Sequence, residues 1–510
     1  MTNEQPGPAS SAVAGLVAAG VALGVGELVA APLAGAPSPI VAVGRSVINL
    51  LPGATARQGV EALGSADKPA LLLGTVAVVL LLGALVGRAS RSRPTLAPVA
   101  FGGFGAVGVA AAVSDPTTSW PLAVAVAVAA AVAGVVVLRR LLRAAPKAGT
   151  AGPLVDLDRR RFLVLAVGAG SLALAAGSIG RALASGGRAA AARALIILSR
   201  PASPLPPKPE GLEAATPGLS PLYTPLDRFY RIDTALAVPD VDVDRWRLRV
   251  SGMVDRPFSL SYEDLADLPQ VEADITLCCV SNEVGGRLIG TARWQGVLLQ
   301  DLLDRAGVQK GATQIVGRSV DGFTVGFPTG VLADGRQAMV ALGMGGEPLP
   351  VRHGFPARLV VPGLYGYVSA TKWLGEIELT TLDAFDAYWV PRGWAKEAPI
   401  KTSARLDVPR AGQRLMAGPQ AVAGVAWAPT RRIGAVEVQV DDGPWTAADL
   451  GPEPSADTWR QWVWTWDATP GAHELRVRAV DGAGEAQETK ERPPIPDGAS
   501  GLHRIRVQVS

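Results

Sequence analysis

Cysteine is nearly absent from this chain of 510 residues: there are two, Cys278 and Cys279, and they are adjacent. A disulfide framework would need more cysteines, and neighbouring residues are poorly placed for ordinary disulfide geometry. Zinc sites are disfavoured too, because they use spacings such as Cys-x-x-Cys with a second pair of ligands downstream. Two interpretations remain. The thiols are small buried apolar side chains, or one is a soft thiolate ligand for a transition metal whose other ligands come from a cofactor.

Histidine is also scarce, with three residues at His353, His473 and His503. The N-terminal part of the chain has none and cannot supply a pair of histidine ligands to a haem, and the absence of Cys-x-x-Cys-His excludes a covalently attached c-type haem. The formal net charge is only +3, which gives no reason to expect nucleic acid as a partner. We therefore predict neither haem nor a nucleic-acid partner.

Charged residues are few over residues 1–185, which are dominated by alanine, valine, leucine and glycine. Segments that approach the length needed to cross a bilayer occur at about 11–31, 69–87, 96–114, 120–138 and 162–184. A further apolar stretch at 39–52 is shorter, carries Arg45 and ends in proline, so we predict a re-entrant or interfacial segment. Residues 1–185 are thus predicted to form a multi-span α-helical membrane domain of about five helices.

Basic residues indicate how these helices are oriented. The loops at 88–94 and 138–147 and the run at 158–161 are rich in arginine, whereas the loop at 114–121 has no basic residue. Cytoplasmic loops carry the excess of lysine and arginine, so the N-terminus and the basic loops are predicted to lie in the cytoplasm. Everything after about residue 185 is then predicted to be extracytoplasmic.

One of these basic runs resembles a targeting signal. The segment 158–170, DRRRFLVLAVGAG, is similar to a twin-arginine export signal with Arg159 and Arg160 as the pair. An ordinary basic flank of a membrane helix is the alternative. Twin-arginine signals are addresses read by a receptor, and the resemblance implies export of a domain that is already folded, commonly around a cofactor.

The rest of the chain divides into three predicted parts. Residues 186–226 are rich in proline without helical or strand periodicity over 199–226, which is typical of an extended linker. Residues 227–401 mix strand and helix signals, as in an α+β domain. Within them, 245–254 alternates like a strand, Ser261 opens one short helix, and Gly307 closes an amphipathic helix over 296–307.

Residues 402–510 consist of short alternating runs separated by turn dipeptides such as Asp442-Gly443. Trp462, Trp464 and Trp466 lie on one face of a predicted strand. Short strands with regular turn signals predict an immunoglobulin-like β-sandwich over this range.

Four separate motifs resemble the sulfite oxidase family of molybdopterin enzymes in their order and spacing. Among the branches of that family, the chain is most similar to the membrane-anchored actinobacterial type. The motifs are FYRIDTALAVPDVDVDRWRLRVSG, ITLCCVSNEVGG, ARWQGVLLQDLL and LGMGGEPLPVRHGFPARLVVPGLYGYVSATKWLGEIEL. The resemblance runs from about residue 226 to the end and implies a sulfite-oxidase-type catalytic fold with a molybdenum-molybdopterin cofactor. The C-terminal sandwich is similar to the domain that mediates homodimer formation in many members.

In this family the cysteine that binds the metal precedes a short run ending in asparagine, as in Cys-Val-Ser-Asn here, which singles out Cys279 as the metal-binding and catalytic residue. A thiolate suits a soft, sulfur-rich metal site, and a cysteine bound to metal must be deprotonated. Cys278 is then expected to be buried on the opposite face of an extended segment. Asn282 and Ser281 are predicted to support the site from nearby.

The resemblance also implies a set of pterin ligands. His353 and Arg358 in HGFPAR, and Lys372 in TKW, match positions that contact the cofactor, and Ser369 is expected to place a hydroxyl near its phosphate. Arginine and lysine suit a pyrophosphate because both keep their positive charge at neutral pH. For His353 the alternative is a surface histidine with satisfied hydrogen bonds.

The front of the catalytic domain departs from the family pattern. Tyr230 and Arg231 occupy the region that touches the cofactor, but the next residues are Ile232 and Asp233, where many sulfite oxidases have asparagine and histidine after the arginine. The missing polar pair would help to hold an oxyanion, so sulfite itself is in doubt as the substrate.

The resemblance implies a membrane-anchored, extracytoplasmic oxidoreductase that transfers an oxygen atom at a small sulfur- or nitrogen-centred substrate and exchanges electrons with a separate partner. One alternative is an enzyme similar to protein methionine-sulfoxide reductases. Another is a non-catalytic surface binding module that presents the face of Trp462, Trp464 and Trp466, although tryptophans at this spacing more often belong to a core or a subunit interface.

Overall fold

The computed structural model describes residues 5–33, 36, 38–51, 55, 59, 66–114, 118–146, 153–184 and 187–510. It divides into two compact units, one of Met1–Arg188 with Ala235–Asp240 and one of Ala189–Thr234 with Val241–Ser510. Parts of the predicted loops at 114–121 and 138–147, the proline at the end of the stretch 39–52, and residue 186 of the predicted linker lie outside the described residues.

The first unit is helical. Its helices are α1 (Pro8–Ala30), α2 (Pro39–Leu50), α3 (Asp67–Ser90), α4 (Leu96–Val113), α5 (Trp120–Ala144) and α6 (Pro153–Ala184). Among the described residues, five helical segments are long and apolar enough to cross a membrane: α1, α3, α4, α5 and the part of α6 over Arg159–Gly180. These positions confirm the five apolar helices predicted from the sequence. The stretch at 39–52 contains the shorter apolar helix α2, and its re-entrant or interfacial placement stays a prediction.

Small residues bring α1 and α3 into close contact. A side chain on Gly15 would overlap the backbone of Gly83 and Gly87, and one on Gly83 would meet Ala19. Helices without charged surfaces associate through such small-residue faces, because the backbones can then approach closely enough for extensive van der Waals contact.

Helix α7 (Gly187–Leu195) lies mostly in the second unit, within the predicted linker, where the sequence did not predict a helix. The helices of this unit are completed by α8 (Tyr262–Ala266), α9 (Leu299–Ala306) and α10 (Gly366–Ser369). One sheet has the order β2-β1-β10-β5-β6, with bounds Phe258–Leu260, Leu248–Gly252, Leu374–Thr380, Gln314–Ser319 and Thr324–Pro328. A second has the order β3-β4-β7-β8, with bounds Val271–Cys278, Ile289–Leu298, Met339–Met344 and Glu347–Pro348, and β9 (Arg358–Val360) pairs with β7.

Local signals explain the short helices of this part. Ser261 caps α8, accepting a hydrogen bond from the Asp264 backbone while the Asp264 carboxylate accepts one from the Ser261 backbone, which confirms the predicted start. Gly307 ends α9 in a left-handed conformation with φ of 69°. The helix predicted over 296–307 starts later than expected, because the backbone from Gly296 to Leu298 pairs with β7 as the end of β4.

The C-terminal region forms two sheets over a common apolar core. One has the order β11-β13-β17-β16 (Ser403–Val408, Gly418–Trp427, Arg460–Ala468, Asp449–Leu450), and the other β12-β19-β18-β14-β15 (Arg414–Leu415, His503–Val509, Gly471–Asp481, Ile433–Val440, Thr446–Ala447). This confirms a two-sheet sandwich, and the immunoglobulin-like type stays a prediction. Trp462 and Trp466 are buried in the core and Trp464 packs against it, so they do not present the exposed face that a binding module would use.

Candidate functional site

The two cysteines lie where β3 ends and before β4 begins. Cys278 pairs with Ile289 as the last rung of the β3–β4 hairpin, and Cys279 opens the connection, residues 279–288, which we name the cysteine loop. The Cys279 amide donates to the Leu288 carbonyl at 2.9 Å, and the Leu288 amide donates to Asn282 Oδ1 at 2.8 Å. Backbone bonds therefore fix Cys279 at the end of two buried strands.

The two thiols differ in their surroundings. Cys278 belongs to the apolar core, and burial followed by the charge of Cys279 raises its pKa well above the usual value. Burial also raises the pKa of Cys279, but hydrogen bonds with Ser281 and the charge of Lys372 oppose the rise. The charge of Arg405 opposes the rise for Cys278 as that of Lys372 does for Cys279. A metal ion bound at Cys279 would supply the charge that deprotonates it.

Buried polar atoms without partners lie close by. His353 Nδ1 and Nε2, Arg358 Nε and Thr371 Oγ1 make no hydrogen bond to any described residue. Folded proteins satisfy nearly all buried polar groups, so this concentration of unused donors and acceptors fits a polar ligand that binds here. Thr371, in the same TKW motif as Lys372, was missed by sequence reasoning.

His353 is fully buried, so the alternative of a satisfied surface histidine is wrong. Burial, followed by the positive charges of Arg358 and Lys372, lowers its pKa to about 3. The backbone of Leu226 favours the protonated form slightly without reaching hydrogen-bond geometry. The ring is therefore neutral at physiological pH and offers one donor and one acceptor.

Two cations flank the histidine. Arg358 donates from Nη1 to the His353 carbonyl at 3.2 Å and lies over the Trp294 ring at 5.3 Å. Burial lowers the pKa of Arg358 to about 10 and that of Lys372 to about 8, with Asp233 opposing the latter shift. Both side chains remain largely charged at pH 7, which suits an anionic group such as a phosphate.

The predicted residues at the front of the domain reach the same area. Tyr230 stacks on Phe229, and burial followed by the charge of Cys279 raises its pKa well above the usual value, so its hydroxyl remains a donor. Asp233 accepts from Lys372 Nζ at 3.0 Å and from Arg231 Nε at 2.8 Å. The sequence identified Asp233 as a departure from the family pattern. It did not reveal that the Asp233 carboxylate pairs with both Lys372 and Arg231.

Ser369 and Asn282 use their side chains locally. Ser369 is buried and its hydroxyl lies 3.0 Å from the Tyr365 carbonyl and 3.2 Å from that of Leu364, as a donor within the turn of α10. Asn282 accepts from the Leu288 amide, and the Cys278 thiol donates to the Cys279 carbonyl. Within the described residues, no group of three His, Cys, Asp or Glu side chains lies close enough to hold a metal ion.

Comparisons with known proteins identify the class of protein. The model of the family "Oxidoreductase molybdopterin binding domain" matches residues 235–389. Human mitochondrial sulfite oxidase is 30% identical over 331 residues, which cover 54% of this chain and 60% of that protein. The uncharacterized oxidoreductase YuiH of Bacillus subtilis is 36% identical over 154 residues, 30% of this chain and 74% of that protein.

A solved structure shares the fold. Sulfane dehydrogenase SoxCD from Paracoccus pantotrophus superposes with a TM-score of 0.50 at 23% identity, over 56% of this chain and 81% of that one. The chain belongs to the sulfite oxidase family of molybdopterin-binding oxidoreductases. The thiol of Cys279, the cations Arg358 and Lys372 and the unpartnered atoms of His353 and Thr371 fit the molybdenum cofactor of this family. The chain spans 60% of the length of the human relative.

Proposed function

We propose that this protein is a membrane-anchored, extracytoplasmic molybdenum oxidoreductase that transfers an oxygen atom at a small sulfur- or nitrogen-centred substrate and exchanges electrons with a separate partner. The observation that carries the proposal is the set of unpartnered buried polar atoms on His353, Arg358 and Thr371, next to cationic Lys372 and the thiol of Cys279. Such a set matches a ligand that is both anionic and rich in hydrogen-bonding groups.

Each residue has a role that follows from its chemistry. Cys279 would supply the thiolate ligand to molybdenum, because it occupies the cysteine position of the family's Cys-Val-Ser-Asn motif and a thiolate suits a soft metal site. Arg358 and Lys372 would bind the anionic end of the pterin. When bound, the cofactor supplies oxygen-atom transfer coupled to electron transfer. Tyr230 would hold a proton at its hydroxyl and donate a hydrogen bond beside Cys279.

The carboxylate of Asp233 bears on the substrate. It pairs with Arg231 Nε at 2.8 Å and so neutralises positive charge that an oxyanion such as sulfite would use. We therefore keep the proposal at the level of small sulfur- or nitrogen-centred substrates. Charge neutralisation at this point favours substrates that carry less negative charge than sulfite.

The anchor is proposed from the helices of the first unit. In the part of the chain that the structure describes, five segments are long and apolar enough to cross a bilayer, and the arginine-rich loops favour an extracytoplasmic catalytic part. The twin-arginine-like sequence at 158–170 supports export of the folded, cofactor-loaded domain. The C-terminal sandwich is proposed to mediate homodimer formation, as in relatives of this family.

The test is a substrate screen with an artificial one-electron dye as the partner, on the full chain purified in detergent from a host that makes the cofactor. Oxidation or reduction of a sulfur or nitrogen compound should depend on Cys279, so Cys279→Ala should abolish it and Cys278→Ala should keep most of it. Equal losses in the two variants would contradict the assignment of the thiolate. A loaded protein that turns over no such substrate would contradict the proposed reaction.

A further inference from the structure

The C-terminal sandwich contacts the cysteine loop directly through Arg405 of β11. This side chain is 4% exposed. Its Nη1 donates to the Gly286 carbonyl at 2.7 Å, its Nη2 to Ser220 Oγ at 2.8 Å and its Nε to Asp407 Oδ1 at 2.8 Å. One buried guanidinium thus joins the cysteine loop, the segment before the catalytic domain and its own strand.

A second contact comes from His503 at the start of β19. Its ring lies against Gly285, which has φ of 78°, and a side chain on that glycine would overlap the ring. His503 Nδ1 accepts the Leu406 amide at 2.9 Å. Burial, followed by the charge of Arg405, lowers the pKa of His503 to about 4, so the ring is neutral and fixed by the backbone of the sandwich.

The cysteine loop is also closed from within. The Asn282 amide donates to the Cys279 carbonyl at 3.0 Å and the Gly286 amide to the Glu283 carbonyl at 2.8 Å. These turns give the loop its shape but do not attach it to the rest of the molecule. Arg405 and His503 make that attachment at Gly285 and Gly286, on the return half of the loop.

We propose that the sandwich is part of the metal site: Arg405 and His503 are positioning residues that hold the cysteine loop so that the Cys279 sulfur stays in place. The role of that sulfur rests on the proposed function. Neither residue belongs to the four motifs that carry the family resemblance, although both lie in the part of the chain that the resemblance covers. Losing Arg405 would leave the half-buried Gly286 carbonyl without this donor, which favours opening of the loop.

The chain itself supplies a specific reporter, since it contains two cysteines. In a Cys278→Ala background, Cys279 is the sole thiol of the full-length protein, and its alkylation by iodoacetamide measures how often the loop opens. The experiment uses cofactor-free protein in detergent, with rates taken across pH to separate accessibility from thiol ionisation. Rates at low urea concentrations separate local opening, which is insensitive to urea, from global unfolding.

Arg405→Met should raise the alkylation rate about ten- to a hundredfold, the factor expected for losing a hydrogen bond from a charged donor. Arg405→Lys should raise it less, and His503→Ala should also raise it. The matched control is Arg431→Met, because Arg431 also bridges segments, through Asp481, the Ile400 carbonyl and Thr402, without contacting the loop. This control should leave the rate unchanged.

An unchanged rate in Arg405→Met and His503→Ala would overturn the proposal. So would an increase of the same size in Arg431→Met, because the effect would then reflect general destabilisation. Metal and pterin content is measured separately on loaded protein. If the parent protein never binds the cofactor, but Arg405→Met still raises the alkylation rate, the proposed function is contradicted. The attachment of the cysteine loop to the sandwich is supported in that case.

Discussion

The buried ammonium of Lys372 should lower the stability of the cofactor-free protein. Its side chain is 9% exposed, and its best partner is Asp233 at 3.0 Å. Burial lowers its pKa from 10.5 to about 8 even with this partner present. That shift corresponds to a cost of about 3 kcal/mol for keeping the lysine charged in the folded state.

The sign of the pH dependence follows from this lowered pKa. Between about pH 8 and 10.5 the unfolded chain holds a proton on Lys372 that the folded chain has lost, so stability rises with pH over that window. Below pH 8 the full cost is present. Lys372→Met should therefore stabilise the cofactor-free protein by up to about 3 kcal/mol at pH 7, and this advantage should shrink as the pH approaches 10.5.

The assay is urea unfolding followed by tryptophan fluorescence, on full-length cofactor-free protein between pH 6.5 and pH 10. Lys401→Met is the control, since Lys401 also pairs with a carboxylate, Asp497 at 2.9 Å, but its side chain is 23% exposed. The same Lys372→Met variant should retain less pterin, because a cation for the phosphate is gone. A variant that is less stable than the parent at pH 7, by an amount independent of pH, would contradict a stability cost from the buried charge of Lys372.

Two further substitutions test the site. Gly285→Ala should cost more stability than the control Gly335→Ala. Both glycines have positive φ, for which backbone strain alone costs about 1–3 kcal/mol. Only Gly285→Ala places its new methyl against His503, because Gly335 faces open space among the described residues. Equal urea midpoints for the two variants would contradict the packing of His503. Arg358→Lys should reduce pterin retention about tenfold or more. The lysine keeps the charge but loses the planar donors and the contact with the Trp294 ring. Full retention of the pterin would contradict the role of Arg358 as a ligand.

Much of this arrangement followed from the sequence because it depends on local pattern. The apolar segments predicted five long helices, Ser261 and Gly307 marked helix ends, and the alternating runs after residue 402 predicted two packed sheets. The four motifs led to the family and its cofactor, which the comparisons confirm. The assignment of Cys279, His353 and the other ligands stays a prediction.

The contacts that the sequence did not reveal join residues far apart in the chain. Lys372 pairs with Asp233 across 139 positions and Arg405 reaches Gly286 across 119. Neither pairing has a periodic or local signature, because a side chain's partner is set by tertiary packing after the elements have formed. The same reason explains why Ser369, a candidate for the phosphate, instead directs its hydroxyl to the backbone of its own turn.

The most direct test of the central claim is the molybdenum and pterin content of the full-length protein and of its Cys279→Ala and Cys278→Ala variants, from a host that makes the cofactor. We expect about one molybdenum and one pterin per chain in the parent and in Cys278→Ala, as for a single resident cofactor. Metal coordination should be lost or altered in Cys279→Ala alone. A parent protein free of metal and pterin, or identical occupancy and metal spectra in all three proteins, would contradict the proposed function of this site.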